Sequence, residues 1–357
     1  MVPTPVRHAS LRRLGRRAAC ALLGLVPLLA AGMPPVGQGS QDMTRAAGPQ
    51  AGHVADLWNL TVGLCTAVFA LILIAFVWAL WRAPRGGADT PADVSGLTRL
   101  EHGPRRSVAL ATALSAALLL VLLVGSVVTD RALAHLALRD AIHVELTGHQ
   151  WWWSARYDDA EASRVFDTAN ELHIPVGRPV IVTLKADDVI HSLWVPNLTG
   201  KKDLIPGRTA TITLRADQPG TFRGQCAEFC GLQHAWMALL VTADPPAQYE
   251  AWAAQQRQPA GTPADALAAR GQQVFLGSTC VMCHAIGGTE AGGQRGPDLT
   301  HLAGRRTIAS GALPNDAQHL ASWISNPQAH KPGSNMPAHA FSQDDLQALV
   351  AYLGSLK

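Results

Sequence analysis

The stretch GQCAEFCGLQHAWM, residues 224–237, sets Cys226, Cys230, His234 and Met237 within twelve positions. Further along the chain CVMCHAIGG, residues 280–288, brings Cys280 and Cys283 beside His284. Two of the six cysteines fall elsewhere: Cys20 in an N-terminal apolar run and Cys65 in a longer one, where a thiol behaves as a small apolar side chain. The remaining four could form two disulfides, the ordinary outcome in an oxidising compartment. The spacing of both pairs argues for metal chemistry instead.

In the first pair, thiolate, imidazole and thioether share one loop between strands. Zinc is one alternative, but it seldom recruits methionine. Soft sulfur ligands with imidazole point to copper, and trigonal copper sites on β-sandwiches draw on this set. A mononuclear site of that kind needs one cysteine, two histidines and a weak methionine; a second cysteine lets a second copper share both sulfurs. The missing histidine has to come from another strand. His191, in DDVIHSLWVPNL (187–198), lies upstream in an apolar segment, where a lone histidine is ordinarily a packed core residue. Its place before the cysteine loop makes it the natural partner.

The surrounding pattern is that of a β-sandwich. PVIVTL (179–184), TATITL (209–214) and MALLVTA (237–243) are short and bounded by Gly, Pro or Asp, and the first two are rich in β-branched residues. Turn sequences IPVGRP, IPGR and DQPGT recur between them. The sandwich domain is expected over 141–250 and a linker over 251–264, within the Ala-, Gln- and Pro-rich AAQQRQPAGTPAD of 253–265. From 265 to 357 the pattern is helical, and Ser342 is placed to cap a last helix whose Leu346, Leu349, Val350 and Leu353 form one apolar face.

The chain of 357 residues is long enough for about two or three domains. A formal charge of +3 is too small to suggest nucleic-acid binding. The basic residues instead mark topology. Arg7, Arg12, Arg13, Arg16 and Arg17 precede an apolar run of only about 15 residues ending in Ala30, Ala31 and Gly32, so residues 1–32 are expected to be a cleaved signal peptide. Residues 33–135 hold an exported N-terminal segment and two uncharged spans, at about 57–81 and 108–128. Trp58, Trp78 and Trp81 flank the first span, as interfacial rings do. Arg82, Arg85, Arg99, Arg105 and Arg106 lie between the spans and place that loop in the cytoplasm. Everything beyond about residue 130 is then extracytoplasmic, in agreement with the leader.

CVMCH is the attachment signature of c-type haem: two thioethers hold the porphyrin and His284 is placed as an axial ligand. Gly271 and Phe275 before it, GPDLTHLAGR (296–305) after it and a closing helix with Tyr352 resemble a small class I cytochrome c. That resemblance makes Met336, in GSNMPAH (333–339), the expected sixth iron ligand. Met282 is too close to the attachment site to serve, and His301, His319, His330 and His339 compete for the role. A Met/His pair raises the potential above that of bis-His ligation.

Taken together, the hairpin, GHQWWW (148–153), DDVIHSLWVP (187–196), KKDLIPGR (201–208) and the cysteine loop resemble subunit II of haem–copper cytochrome c oxidases over residues 50–245, with the cytochrome fused behind as in the caa-type branch. The resemblance implies a multidomain chain: a two-helix transmembrane hairpin, a cupredoxin-like β-sandwich and an all-α class I cytochrome c domain. It implies a binuclear CuA centre held by His191, Cys226, the carbonyl of Glu228, Cys230, His234 and Met237, and a magnesium ion shared with subunit I through the Glu228 side chain. It makes Trp151 the residue through which electrons reach CuA, with Trp152 and Trp153 as packing. Asp187 and Asp188 match acidic positions that dock cytochrome c. The family's usual motif before the second span is replaced by LTRLEHGPRRSV, which leaves Glu101 as a candidate for proton uptake.

The implied function is that of an oxidase subunit in a bacterial inner membrane, working with subunits I and III. A periplasmic cytochrome c or bc1 complex would reduce the haem c, and subunit I would reduce oxygen to water while protons are pumped. Rival readings are a CuA-bearing nitric oxide reductase subunit, a quinol oxidase subunit II, which lacks the copper ligands present here, and a membrane-anchored electron carrier or copper protein with no catalytic partner.

Overall fold

The structure, a computed structural model, describes residues 41–83, 91 and 102–357. The expected signal peptide with Cys20, and Arg85, Arg99 and Glu101 of the loop between the spans, lie outside the described residues.

Two long helices, α1 (Pro49–Arg82) and α2 (His102–Ala134), are long and apolar enough to cross a membrane. They contain the expected spans and extend beyond them. They approach closely at Gly125, where a Cβ would lie 3.0 Å from Leu60 Cδ2. The extension of α1 has a local cause. The chain just before it is bonded to the sandwich: Ala47 N donates to the Asn197 carbonyl at 2.7 Å and Asn197 Nδ2 to the carbonyls of Asp42 and Arg45. Gly48 permits this approach, since a Cβ there would fall 2.0 Å from the Arg215 carbonyl oxygen. Pro49, with its fixed φ, then opens the helix. The hairpin therefore both leaves from and returns to the same domain.

That domain is built from β1 (Ile142–His149), β2 (Trp152–Asp158), β3 (Phe166–Ala169), β4 (Glu171–Pro175), β5 (Val180–Ala186), β6 (His191–Trp194), β7 (Lys201–Leu204), β8 (Ala210–Leu214), β9 (Gly220–Cys226) and β10 (Ala238–Asp244). They form two five-stranded sheets, ordered β3-β2-β1-β5-β8 and β4-β10-β9-β6-β7. Alternate residues of β1 and β5 (Val144 and Leu146, then Val180, Val182 and Leu184) face inward, as period-two side chains must when one face is covered. They meet Leu193, Phe222, Leu239 and Val241 from the second sheet. Each such fully buried apolar side chain contributes about 1.5–3 kcal/mol.

The expected linker at 251–264 is helical in its first part. α3 (Pro246–Gln256) starts with a proline in its first turn and buries Tyr249 and Ala253, four apart on one face. Trp252 stacks on His173 at 4.3 Å and meets Tyr157 and Phe166 edge-on. The Ala- and Gln-rich composition that suggested a linker is equally good helix-forming composition, and one tryptophan docks it. Only the Pro- and Gly-containing remainder connects the domains.

The last domain comprises α4 (Ala266–Leu276), a short pair β11 (Thr307–Ile308) and β12 (Leu313–Pro314), then α5 (Ala317–Ser325), α6 (Pro327–His330) and α7 (Gln343–Leu353). Asp265 caps α4 through Ala268 N at 2.8 Å. Ser342 caps α7 as expected, accepting from Asp345 N at 3.1 Å and donating to the Asp345 carboxylate at 2.7 Å. Leu349 and Leu353 are buried, with Leu346 and Val350 packed beside them. α4 and α7 cross at Gly271, where a Cβ would lie 2.0 Å from the Ala348 carbonyl oxygen. Only glycine lets the two backbones meet there.

Candidate metal centre

The turn after β9 and the start of β6 bring the expected copper ligands together. Cys226 ends β9, Cys230 follows in the turn, and a single-turn 3-10 helix carries His234 to Met237 at the foot of β10. β6 pairs with β9 so that Leu193 opposes Cys226, which sets His191 at the head of the neighbouring strand beside the thiols. The two sulfurs are 3.8 Å apart. Cys226 Sγ lies 3.8 Å from His191 Nδ1 and 3.3 Å from the Glu228 carbonyl oxygen. Cys230 Sγ lies 3.6 Å from His234 Nδ1 and 3.9 Å from Met237 Sδ. Both cysteines are free, and their separation is well beyond the roughly 2.05 Å of a disulfide. His191, both cysteines and Met237 are buried, while the Glu228 side chain is exposed.

Electrostatics within this cluster are strongly biased. Cys226 is held well below the ordinary thiol value by its pairing with the Cys230 thiol, with His191 adding to it and burial opposing. That same pairing, together with burial, pushes Cys230 up. Burial opposes a charge on His191, but Cys226 and Asp188 outweigh it and raise the ring's pKa. Asp188, which the resemblance made a docking position, stays partly exposed while its carboxylate also faces His191. It accepts from His191 Nε2 at 2.8 Å, Gln150 N at 2.6 Å and Val189 N at 2.7 Å. Burial works against its charge, yet these donors hold its pKa below the ordinary carboxylate value. Asp187 pairs with His149 at 3.3 Å and its side chain stays exposed. The one sequence signal for the role of Asp188 was its position three residues before the histidine.

GHQWWW lies directly against this cluster. Gly148 leaves room for His191, since a Cβ would come within 2.8 Å of its ring. Gln150 Nε2 and Trp151 Nε1 both donate to the Cys230 carbonyl, at 2.7 and 2.9 Å. Gly231, with φ +111°, lets the loop pass over the Trp151 ring, from which a Cβ would be 3.0 Å away. Trp152 stacks on His149 at 4.2 Å, and Trp153 is fully buried in the core.

In the last domain Cys280 and Cys283 are free, and both belong to the tight turn after α4. His284 bonds through Nδ1 to the Pro297 carbonyl at 2.8 Å, which fixes the tautomer and leaves Nε2 open as an acceptor. Burial pulls its pKa down, which favours the neutral ring that a metal ligand needs. Gly296 lies against it, and a Cβ there would come 2.7 Å from His284 Cε1. Met336 packs at the edge of the domain core with Cys280, Val281, Trp323 and Phe341. Of its competitors, three have hydrogen-bond partners and the fourth is stacked on a ring. His301 contacts the Gln258 carbonyl, His319 pairs with Asp316, His330 bonds Ser322 and His339 stacks on Phe341. Met282 is exposed.

The fold and sites thus define a membrane-anchored protein that joins a cupredoxin-like domain to a cytochrome c domain. Family models for "Cytochrome C oxidase subunit II, periplasmic domain" and "Cytochrome c" match residues 160–244 and 268–357. The chain is 36% identical over 321 residues to cytochrome c oxidase subunit 2 of Alkalihalophilus pseudofirmus, covering 87% of this chain and 89% of that one. It is 28% identical to cytochrome c oxidase subunit 2 of Bacillus subtilis, over 94% and 96% of the two chains. Among solved structures, the periplasmic domain of subunit II of the Bradyrhizobium japonicum cytochrome oxidase matches with 28% identity and TM-score 0.32, over 34% of this chain and 97% of that one. The chain belongs to the cytochrome c oxidase subunit 2 family, in a form that carries a cytochrome c domain. It is a subunit of a haem–copper oxidase, an oxidoreductase. The two domains imply copper in the first and haem in the second.

Proposed function

We propose that this chain is the electron-input subunit of a caa-type cytochrome c oxidase. Electrons from a periplasmic cytochrome c or bc1 complex arrive at a haem held covalently by Cys280 and Cys283. They leave through a binuclear CuA centre toward subunit I, where oxygen is reduced to water and protons are pumped. When bound, the two groups supply one-electron oxidation and reduction at two successive stations. The chain's own residues hold and tune them.

The observation that carries this reading is the convergence of five side chains and one carbonyl: His191, Cys226, the Glu228 carbonyl, Cys230, His234 and Met237, with the spacings from the two sulfurs between 3.3 and 3.9 Å. A zinc site would have no use for Met237 Sδ, whereas a soft metal does. Asp188 orients His191, and Gln150 with Trp151 holds the Cys230 carbonyl, so the ligand groups have partners of their own within the chain. His284 and Met336 would hold the haem iron. The exposed Glu228 carboxylate is the magnesium ligand shared with subunit I. In this reading the signal is removed, the hairpin crosses the inner membrane twice, both domains are periplasmic, and subunit III completes the complex.

The test is purification of the intact membrane complex, followed by metal analysis, optical and EPR spectra, and oxygen uptake compared with nitric oxide turnover. A haem c band, a binuclear copper signal and oxygen uptake are expected. Turnover of nitric oxide in place of oxygen would move the chain to a nitric oxide reductase, and absence of the haem band and copper signal would remove both site assignments.

A further inference from the structure

The segment that carries Met336 is bonded to the turn that carries Trp151. Lys331 Nζ donates to the Trp151 carbonyl at 2.7 Å and to the Ala309 carbonyl at 3.2 Å. Asn335 Nδ2 donates to the Gln150 carbonyl at 3.2 Å, and Gln233 Nε2, from the cysteine loop, to the Pro332 carbonyl at 2.6 Å. Gly333 packs over Leu232, where a Cβ would come 2.9 Å from Leu232 Cδ1. These contacts surround the Cys230 carbonyl, which already accepts from Gln150 and Trp151.

Lys331 is an unusual residue to find here. Only 3% of it is exposed, and its ammonium donates to two neutral carbonyls. Burying an ammonium without a carboxylate is costly, and an apolar side chain of the same length would pack there more cheaply. Burial pushes its pKa down to about 7. A side chain kept in such a place has to be holding something that packing alone would leave loose. What it holds is a segment of one domain against the backbone of the other.

We propose that Lys331 is a positioning residue for electron transfer between the two domains, pinning the Met336 segment to the Gln150–Trp151 turn so that the haem domain stays docked over Cys230. This rests on the electron-input reading above and adds to it a fixed, bonded route in place of a swinging haem domain. In each transfer one electron lost on the haem side is gained on the copper side, and no bond is made or broken. Asn335 and Gln233 are secondary fastenings of the same segment.

The experiment uses the intact oxidase complex carrying Lys331→Met or Asn335→Ala. The haem-to-copper electron-transfer rate is read by flash photolysis, and amide hydrogen exchange is read over residues 148–152 and 230–235. For Lys331→Met the transfer is expected to slow by about tenfold or more, because misplacement of reacting groups is felt steeply. Exchange in both segments should rise, with the haem c band and copper EPR signal retained. Asn335→Ala, whose side chain is exposed, should give smaller changes of the same sign and carries the test if Lys331→Met fails to assemble. Unchanged transfer rates or unchanged exchange in the assembled variants would overturn the proposal. A wild-type complex without the two metal signals would instead overturn the functional reading, while the exchange data, which need no metal, would still report whether Lys331 fastens the domains.

Discussion

Asp188 Oδ1 and His191 Nε2 are 2.8 Å apart, and this contact leaves His191 Nδ1 as the ring atom turned to Cys226. A histidine that donates through one nitrogen offers the other as an unprotonated ligand. The same carboxylate accepts from Gln150 N and Val189 N, so it also ties β6 to the turn that covers Cys230.

Asp188→Asn should therefore weaken copper binding without unfolding the sandwich. Loss of a carboxylate behind a ligating histidine lowers metal affinity by about 10- to 100-fold. Competition against a copper chelator, with the haem band as an internal check on folding, measures the effect. Equal affinity in variant and wild type would show that the carboxylate does not set the ring.

The crossing of α4 and α7 depends on Gly271. A methyl group there would lie 2.0 Å from the Ala348 carbonyl oxygen and 2.7 Å from Tyr352 Cβ, and neither a helix backbone nor a buried ring can yield that far. Gly271→Ala should destabilise the cytochrome domain by about 1–3 kcal/mol, the range for overpacked cores. This is read as a lower denaturant midpoint for loss of the haem absorbance, with the copper signal unaffected. A midpoint equal to that of the wild type would mean that the helices can separate at no cost.

Met336 is the expected distal ligand because its N-M-P setting resembles that of class I cytochromes c. Met336→His should then lower the haem midpoint potential, since a thioether ligand favours the reduced iron more than a second imidazole does. Potentiometric titration of the purified complex decides this. A potential that stays where it was would place the ligand elsewhere.

The two candidate metal loops stand out in the sequence because their chemistry is local. Four donors within twelve positions and a C-x-x-C-H run need no tertiary information to be recognised. The β-branched runs that became β5 and β8 were equally plain. His191 could be picked out because the loop lacked a second imidazole. What stayed hidden depends on distant pairs. Residues 251–256 read as linker because nothing in them announces that Trp252 will stack on His173. The second role of Asp188, beyond that of a surface acid, stayed hidden because its three donors come together only when β6 meets the Gln150 turn. Lys331 gave no signal at all. Its carbonyl partner on Trp151 is separated from it by 180 residues, and a backbone oxygen leaves no mark in a sequence.

The buried Lys331 also makes the docking of the two domains dependent on pH, and the sign follows from where its proton is held. Docked, its pKa is pushed down to about 7 by burial; in an open or unfolded state it returns to near 10.5. Between those values the open state binds more protons than the docked one, so the free energy of opening rises with pH, by about 1.4 kcal/mol per unit for a single full proton. Below about 7 both states are protonated and the burial penalty of the ammonium is present in full. Above about 10.5 neither holds the proton, and this contribution is flat again. The docked form survives deprotonation because a neutral amine still has two N–H groups for the Trp151 and Ala309 carbonyls. Denaturant midpoints of wild type and Lys331→Met, compared between pH 6 and 9, should therefore diverge in favour of the wild type as pH rises. A difference independent of pH over that interval would show that Lys331 is not held neutral against Trp151.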